Sequence, residues 1–421
     1  MQRRDFLAWG LAASAWPSMA SAFATSARAR PASLGRVVVV GAGYGGATAA
    51  KYLRLMSGGR IEVILVDRNA DFVSCPVSNR VLGGQRTLAQ LTFGYGSLRQ
   101  HHGVKFMRAG VTAIDADKQR IVMGRQTLSY DRLVVAPGID FNYDAFPLLA
   151  DAQQQIPHAW KAGAQTRTLR QQLVAMPNGG VFTIVVPAQP YRCPPAPYER
   201  ACQVAFYLKT HQSRAKVIVL DANPVITSKR ALFERAWRDL YPGMIEYVPG
   251  SELRQVEVAS KTVKTVFDTV KSDVLNFIPP QRAGRLAQDA GLANVEQRWC
   301  EVDFLSYASA VLPQVHVIGD AIESNLPKSA HLANAQAKIC ARAIVDLMLG
   351  QAPDPAPSFE NTCYSFIDDR QAMHISTLYR YDALKKSMQA EGSGILSEHA
   401  SAQEGVDADA WAQRIWGDVL T

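Results

Sequence analysis

Residues 36–67 read RVVVVGAGYGGATAAKYLRLMSGGRIEVILVD, and this stretch decides the fold. An apolar run, a glycine-rich turn, a helical stretch and a second apolar run follow one another, as in the first half of a βαβ unit. Gly41, Gly43 and Gly46 fit the spacing G-x-G-x-x-G, in which the first glycine makes the turn, the second admits a pyrophosphate and the third lets the helix pack on the sheet. Asp67 closes the second strand, where a carboxylate accepts hydrogen bonds from a ribose hydroxyl. The stretch therefore predicts a dinucleotide site at the N-terminus of the helix.

Two later segments indicate which dinucleotide binds. Asp131–Gly138 reads DRLVVAPG, and Val315–Asp320 reads VHVIGD ahead of a long helical stretch. Each has the pattern of a strand followed by a turn, and both resemble FAD-contacting segments of flavoproteins with two dinucleotide-binding domains. The residues that this resemblance places beside FAD are Asp320, at the ribityl chain, and the turn Ala136, Pro137 and Gly138.

The segment between these two stretches has the pattern of a second unit of the same kind. Val181–Val186 and Lys216–Asp221 read as its first two strands, joined by a helix from about residue 197 to 210. The turn after the first strand, residues 187–195, reads PAQPYRCPP where a glycine-rich sequence is needed to bind phosphates. Side chains fill the phosphate approach, and proline has no N–H to donate. We therefore expect no NAD(P)H binding there, so that the reductant reaches the flavin directly.

These patterns predict an α/β protein with two Rossmann-like dinucleotide-binding domains, arranged as in glutathione reductase, and a small C-terminal α+β domain. The FAD-binding domain is expected to be discontinuous, over residues 34–148 and 277–353. The central domain spans residues 149–276, and the C-terminal domain spans residues 354–421.

The first 30 residues have the features of a twin-arginine export signal, because Arg3 and Arg4 precede an apolar run that reaches Ala20. The run contains Pro17 and is shorter than the roughly 20 residues that cross a bilayer, so a retained anchor is the weaker interpretation. We expect a periplasmic protein without an integral membrane segment after signal removal. The formal charge of +8 is mild for 421 residues, and the chain has no basic run interleaved with aromatics that would predict nucleic-acid binding.

Six cysteines are present, none of them in a C-x-x-C-H sequence, so we expect no c-type haem in this chain. No cysteine or histidine spacing is typical of zinc, and no metal site is predicted. Cys75, Cys193 and Cys363 occur in turn-rich segments and not on an apolar helical face. The other three, interpreted as buried structural residues, are Cys202, Cys300 and Cys340.

From the N-terminus to about residue 380, the chain resembles the flavoprotein subunit of flavocytochrome c sulfide dehydrogenase. Several of the matching stretches are specific to that family and not general to flavoproteins. They are Gly45–Leu55, Cys75–Gly84, Pro157–Gly163, Arg192–Arg200, Ile278–Gly284, Ile318–Ser329 and Asn361–Ser365.

The resemblance implies roles for three cysteines. Cys75 bears FAD through an 8α-S-cysteinyl thioether, which retains the cofactor where it cannot be resupplied. Cys193 and Cys363 form a redox-active disulfide beside the flavin, open to exchange with hydrosulfide, and the released thiolate then reduces the flavin. The alternative for the pair is a structural disulfide, stabilising by about 5 kcal/mol in the loop-entropy model. The alternative for Cys75 is a free exposed thiol, which would be an oxidation liability.

Two charged residues near these segments have two interpretations each. Glu199 lies close to a helix start, where it either shuttles protons for sulfide or simply interacts with the helix dipole. Lys328 either places positive charge near the pyrimidine end of the flavin or is a surface lysine.

The predicted function is that of an exported sulfide:cytochrome c oxidoreductase, in which sulfide gives two electrons through Cys193 and Cys363 to FAD on Cys75. A separate c-type cytochrome then removes the electrons singly, since this chain has no haem motif. The alternatives are an accessory flavoprotein of a sulfur-oxidising complex, a sulfide:quinone reductase, for which the C-terminus offers no convincing amphipathic membrane helix, and a pyridine-nucleotide disulfide reductase.

Overall fold

The computed structural model describes residues 32–421, so the predicted export signal lies outside the described residues. Within this range the strands are β1 (Gly35–Val40), β2 (Ile61–Asp67), β3 (Asp71–Val73), β4 (Thr92–Gly94), β5 (Lys105–Arg108), β6 (Ala113–Asp115), β7 (Arg120–Met123), β8 (Gln126–Ser129), β9 (Arg132–Val135), β10 (Ile139–Phe141), β11 (Val181–Val186), β12 (Lys216–Asp221), β13 (Ile245–Val248), β14 (Leu253–Glu257), β15 (Thr262–Thr265), β16 (Thr269–Lys271), β17 (Val274–Phe277), β18 (Gln281–Ala283), β19 (Val315–Val317), β20 (Ser358–Phe366), β21 (Ala372–Asp382), β22 (Ser387–Ala390) and β23 (Ile395–Leu396). The helices are α1 (Tyr44–Met56), α2 (Asn79–Gly83), α3 (Gly96–His102), α4 (Leu148–Asp151), α5 (Ala164–Ala175), α6 (Ala196–His211), α7 (Arg230–Leu240), α8 (Arg285–Asp289), α9 (Ala330–Met348) and α10 (Ala402–Leu420).

The valine run of the opening stretch forms β1, at the centre of a five-stranded parallel sheet with the order β19-β9-β1-β2-β5. Val37, Val38 and Val39 are fully buried, as expected for a parallel strand that is covered on both faces. Strand β9 pairs in parallel with both β1 and β19. The strands predicted in three distant segments are therefore confirmed, and they lie side by side in one sheet.

A second parallel sheet has the order β13-β12-β11-β17. Its strands β11 and β12 have the predicted bounds, and the connecting helix α6 is one residue longer at each end than predicted. The run from β11 through α6 to β12 repeats the strand, turn, helix and strand order of β1, α1 and β2. The predicted strands and helix of this second Rossmann-like unit are thus present, whereas its extent as a domain stays a prediction.

The C-terminal part is an antiparallel sheet of β20–β23 followed by α10. Ser401 caps α10, because its side chain accepts a hydrogen bond from the Glu404 N–H. Helix α10 packs against α1 and β21, so the last residues of the chain lie on the first Rossmann-like unit.

The predicted mixed α/β fold is confirmed. The sequence did not predict the small antiparallel sheets β6–β8 and β14–β16, since strands of three to five residues carry little periodicity. Residues 33–421 group into one unit by their contacts, so the predicted domain boundaries at residues 148, 276 and 353 stay predictions.

Two absences concern only residues 32–421. None of the helices there is long and apolar enough to cross a membrane. No group of three or more histidine, cysteine or acidic side chains in the same range is placed to hold a metal ion.

Candidate active site

A cavity of about 970 Å³ runs along the carboxyl ends of the first sheet and extends to the start of α6 and to the C-terminal part. Ligands of open α/β sheets bind at this edge, and the volume lies in the range of cofactor sites. The sequence-predicted residues that line it are Gly41, Gly43, Asp67, Cys75, Ala136, Pro137, Gly138, Cys193, Glu199, Asp320 and Cys363.

The glycine turn has the geometry that a pyrophosphate needs. Gly41 has a φ of +93°, which favours glycine, and a Cβ on Gly46 would overlap the carbonyl oxygen of Gly41 beneath the helix. A Cβ on Gly43 would meet no atom within 4 Å, so the space above Gly43 is open cavity at the N-terminus of α1. Asp67 accepts a hydrogen bond of 2.7 Å from the N–H of Ala42, which fixes its carboxylate at the cavity wall. These residues fit the diphosphate and ribose of FAD.

An ion pair that the sequence did not reveal joins the two Rossmann-like units at the cavity. The Arg192 Nε donates to the Asp320 carboxylate over 2.6 Å, and both side chains are largely buried. The Arg192 Nη1 lies 3.9 Å from the Cys75 Sγ. Arg192 thus contacts both the predicted ribityl ligand and the cysteine predicted to carry the flavin.

Cys193 is held in an unusual backbone conformation. Its φ is +56°, a region uncommon for residues other than glycine and found most often at functional sites. The Cys193 N–H donates to the carbonyl oxygen of Lys328 over 2.7 Å. The turn that lacks the glycine fingerprint is therefore fastened beside the last segment of the first unit.

Cys363 does not lie in a turn, as predicted, but in the long strand β20. The prediction was wrong because Asn361 is typical of turns, whereas the β20–β21 pairing holds the segment extended. Cys193 and Cys363 line the same cavity, and ionisation of Cys363 adds to the effect of burial in raising the pKa of the Cys193 thiol. Both are thiols in the structure, so the predicted disulfide stays a prediction.

Glu199 is buried and connects three elements. Its carboxylate accepts hydrogen bonds from the Asn79 side chain over 2.8 Å and from the Phe366 N–H over 2.9 Å, so it is bound to groups outside its own helix. Burial raises the pKa of its carboxyl group, which brings proton exchange closer to neutral pH. The arrangement favours the proton-shuttle interpretation, which stays a prediction.

The structure contradicts one of the two interpretations of Lys328. It is not a surface lysine, since the residue is only 4% exposed. Its ammonium donates to the Ile322 carbonyl over 2.7 Å and lies 3.7 Å from the centre of the Trp299 ring. The side chain is not among those that line the cavity, but the charge of Asp320, the predicted ribityl ligand, acts on its pKa, so a role of Lys328 beside the flavin stays a prediction. What Lys328 contributes is the carbonyl oxygen that binds Cys193.

The second unit does not fit a nicotinamide nucleotide. Asp221 ends β12, as Asp67 ends β2, but it is fully buried. Its carboxylate accepts hydrogen bonds from the hydroxyls of Tyr198 at 2.7 Å and Tyr247 at 3.0 Å and from the main-chain N–H of Asn223 at 2.9 Å. The acid that would bind a ribose is therefore already engaged with protein groups.

The C-terminal part closes one end of the cavity with aromatic side chains that the sequence did not single out. Tyr364 lies 5.8 Å from Trp411, which in turn lies 6.1 Å from His331, measured between ring centres. All three line the cavity. Their spacing in the chain gives no signal, because β20, α9 and α10 bring them together only in the folded protein.

Three family models match the described chain. Residues 166–279 match the central part of the sulfide dehydrogenase [flavocytochrome c] flavoprotein chain, and residues 355–420 match the flavin-binding part of flavocytochrome c sulphide dehydrogenase. Residues 35–175 match pyridine nucleotide-disulphide oxidoreductase. The family match thus reaches residue 420, beyond the limit of about 380 that the sequence predicted.

Similar proteins match the chain to different extents. The sulfide dehydrogenase [flavocytochrome c] flavoprotein chain of Chlorobaculum thiosulfatiphilum is 56% identical over 46 residues, which are 11% of this chain and 94% of that sequence. A type II NADH:quinone oxidoreductase of Mycobacterium tuberculosis is 26% identical over 88% of this chain and 83% of that protein. The sulfide:quinone oxidoreductase structure from Aquifex aeolicus has a TM-score of 0.73 and 17% identity, covering 91% of each chain, which supports the fold.

Because the space above Gly43 is open, a methyl group there should impair flavin binding without destabilising the fold. In Gly43→Ala we expect the melting temperature of the flavin-free protein to stay within about 2 °C of the original, while the added methyl group blocks the pyrophosphate and lowers the flavin bound per chain. The ratio of flavin to protein absorbance and a thermal melt measure the two effects.

Gly46→Ala is the matched comparison, because its methyl group overlaps the Gly41 carbonyl and should cost about 1–3 kcal/mol of unfolding free energy. Gly94→Ala, where a Cβ also meets nothing within 4 Å, should change neither quantity. Full flavin content in Gly43→Ala would show that the cofactor does not approach this turn.

Proposed function

Because the chain belongs to the family of flavocytochrome c sulfide dehydrogenase flavoproteins, and is therefore a flavin-binding oxidoreductase, we propose that it oxidises sulfide at Cys193 and Cys363. The observation that carries the proposal is that these two cysteines and Cys75 line one cavity, although more than 100 residues separate each from the next along the chain. Cys75 would hold FAD, which would supply the acceptor for the electrons. A c-type cytochrome is the proposed partner that removes them.

The residues proposed to hold FAD come from both parts of the first unit. The N-terminus of α1 and Gly43 bind the diphosphate, Asp67 binds the ribose, and Asp320, held by Arg192, binds the ribityl chain. When bound, FAD accepts two electrons from sulfur and releases them one at a time. A thioether to Cys75 retains the cofactor in the periplasm, to which the proposed signal at residues 1–30 directs the protein.

The proposed chemistry begins with Cys193 and Cys363 as a disulfide. Hydrosulfide attacks one of its sulfur atoms, so a new S–S bond forms while the bond between the cysteines breaks. One cysteine becomes a persulfide, and the other leaves as a thiolate that keeps the electron pair of the broken bond. We assign to Glu199 the proton that hydrogen sulfide loses, because its buried carboxyl group lines the same cavity as both cysteines and burial raises its pKa.

Direct reduction by sulfide is favoured over reduction by NADH for two reasons. The Asp221 carboxylate is engaged by two tyrosine hydroxyls, and the turn of the second unit, residues 187–195, is rich in proline. A role as an accessory flavoprotein would instead show binding to sulfur-carrier proteins without sulfide-dependent reduction of cytochrome c. A quinone acceptor would show reduction of a soluble quinone that outpaces reduction of cytochrome c.

If sulfide reacts at Cys193 and Cys363, reduction of the flavin by sulfide should require both cysteines. Sulfide added without oxygen should bleach the flavin absorbance of the original protein, and Cys193→Ser or Cys363→Ser should slow this bleaching by at least about a hundredfold, because neither variant can form the disulfide. Cys202→Ser is the control, because Cys202 is a buried thiol that does not line the cavity. Unchanged bleaching in both cavity variants would make any bond between these cysteines structural.

If Cys75 carries FAD through a thioether, the flavin should stay with the chain when the protein is denatured. Acid precipitation of the original protein should leave the yellow colour in the pellet, and the mass of the chain should include one FAD. In Cys75→Ser the flavin should appear in the supernatant, because serine forms no thioether. Flavin released by acid from the original protein would contradict the attachment without affecting the prediction for Cys193 and Cys363.

A further inference from the structure

Lys229 is a buried lysine beside the cysteine pair that the sequence gave no reason to select. It is only 5% exposed and precedes α7 with a φ of +54°, a conformation that is uncommon for a side chain of this kind. Its ammonium donates to the carbonyl oxygen of Cys363 over 2.8 Å and to that of Met373 over 3.5 Å. Both acceptors in the described chain are main-chain oxygens, so these contacts leave its charge without an anion.

The surroundings supply groups that become anions during sulfur chemistry. The titratable groups that influence Lys229 are, in decreasing order, Cys363 on β20, Glu199 on α6, Cys193 in the turn before α6 and Glu404 on α10. The first and third of them are the two cysteines proposed to react. Burial lowers the pKa of Lys229, and these neighbours oppose that effect.

The influence is stronger on Cys363 than on Cys193. Burial raises the pKa of the Cys363 thiol, and the charge of Lys229 is the largest effect that lowers it, followed by hydrogen bonds from Asn361 and Ser329. Burial, ionised Cys363 and Glu199 all raise the pKa of the Cys193 thiol. Lys229 lowers this pKa, but its effect is smaller than each of theirs. Arg200 also faces Cys193, but its guanidinium is bound by Asn79, Asn276 and main-chain carbonyls.

We propose that Lys229 is a positioning residue for the cysteine pair, whose buried ammonium holds the Cys363 main chain and supplies the counter-charge for anionic sulfur on Cys363. This rests on the proposed function of the pair. The anion is a thiolate if sulfide binds to Cys193 and a persulfide anion if it binds to Cys363, and the lysine serves in either case. Stabilising the open form makes the disulfide a stronger oxidant, which suits a donor as simple as hydrosulfide.

The test compares Lys229→Met, which removes both the charge and the hydrogen bonds, with Lys229→Gln, which keeps an N–H donor without the charge. The full-length protein with bound flavin is reduced by a phosphine without oxygen, and the rate of iodoacetamide labelling at Cys363 is followed by peptide mass spectrometry as the pH is raised. Neither sulfide nor an electron acceptor is needed, so failure of the proposed function would not affect this readout.

We expect the midpoint pH for labelling of Cys363 to rise by about 1–3 units in both variants, as when a neighbouring opposite charge is lost, and to rise less for Cys193. Lys51→Met is the matched control, since Lys51 is also buried and donates to main-chain carbonyls, those of Gly417 and Asp418. Its midpoint should equal that of the original protein. An unchanged midpoint in Lys229→Gln would overturn the proposal, because a shift confined to Lys229→Met would then reflect lost hydrogen bonds and not lost charge.

Discussion

The buried ion pair between Arg192 and Asp320 is the contact on which the arrangement of the site depends. Arg192 belongs to the turn of the second Rossmann-like unit, and Asp320 belongs to the segment after β19 of the first. The Arg192 main chain is fixed as well, because its N–H donates to the Gln281 side chain and its carbonyl accepts from the Trp160 indole. A buried charge without its partner is costly, so the ion pair fixes the turn of the second unit against the first unit. Cys193 is the next residue in the chain, and its position is fixed with that turn.

The turn of the second unit, residues 187–195, occupies the position of the glycine-rich turn of the first unit but differs from it in two respects. In the first unit the corresponding turn has glycines and an accessible aspartate, and it leaves open space for a diphosphate. In the second unit Asp221 is engaged by Tyr198 and Tyr247, and the turn carries side chains in place of that space. Its proline-rich path instead brings Cys193 to the cavity that Cys363 also lines.

The sequence predicted those parts of the fold that are determined by short-range patterns. Strands such as β1 and β11 were predictable because parallel strands buried on both faces read as continuous apolar runs, and the glycine spacing marked the first turn. Lys229 and Cys363, by contrast, meet across 134 residues, and no local pattern encodes such a contact. The burial of Lys328 could not be predicted for the same reason, since the Trp299 ring that its ammonium contacts lies in another segment.

The central claim is that sulfur from sulfide bonds to a cysteine of the pair before electrons reach the flavin. The most direct measurement is to mix the protein without oxygen with one equivalent of sulfide, quench with an alkylating reagent and map the cysteine peptides by mass spectrometry. The account predicts one added sulfur atom on the cysteine pair and none on the Cys202 peptide. The added sulfur is an alkylated persulfide on Cys193 or Cys363 while the flavin is oxidised, and a trisulfide joining the two peptides in an amount matching the flavin reduced. Full reduction of the flavin with no added sulfur on either cavity cysteine would contradict it.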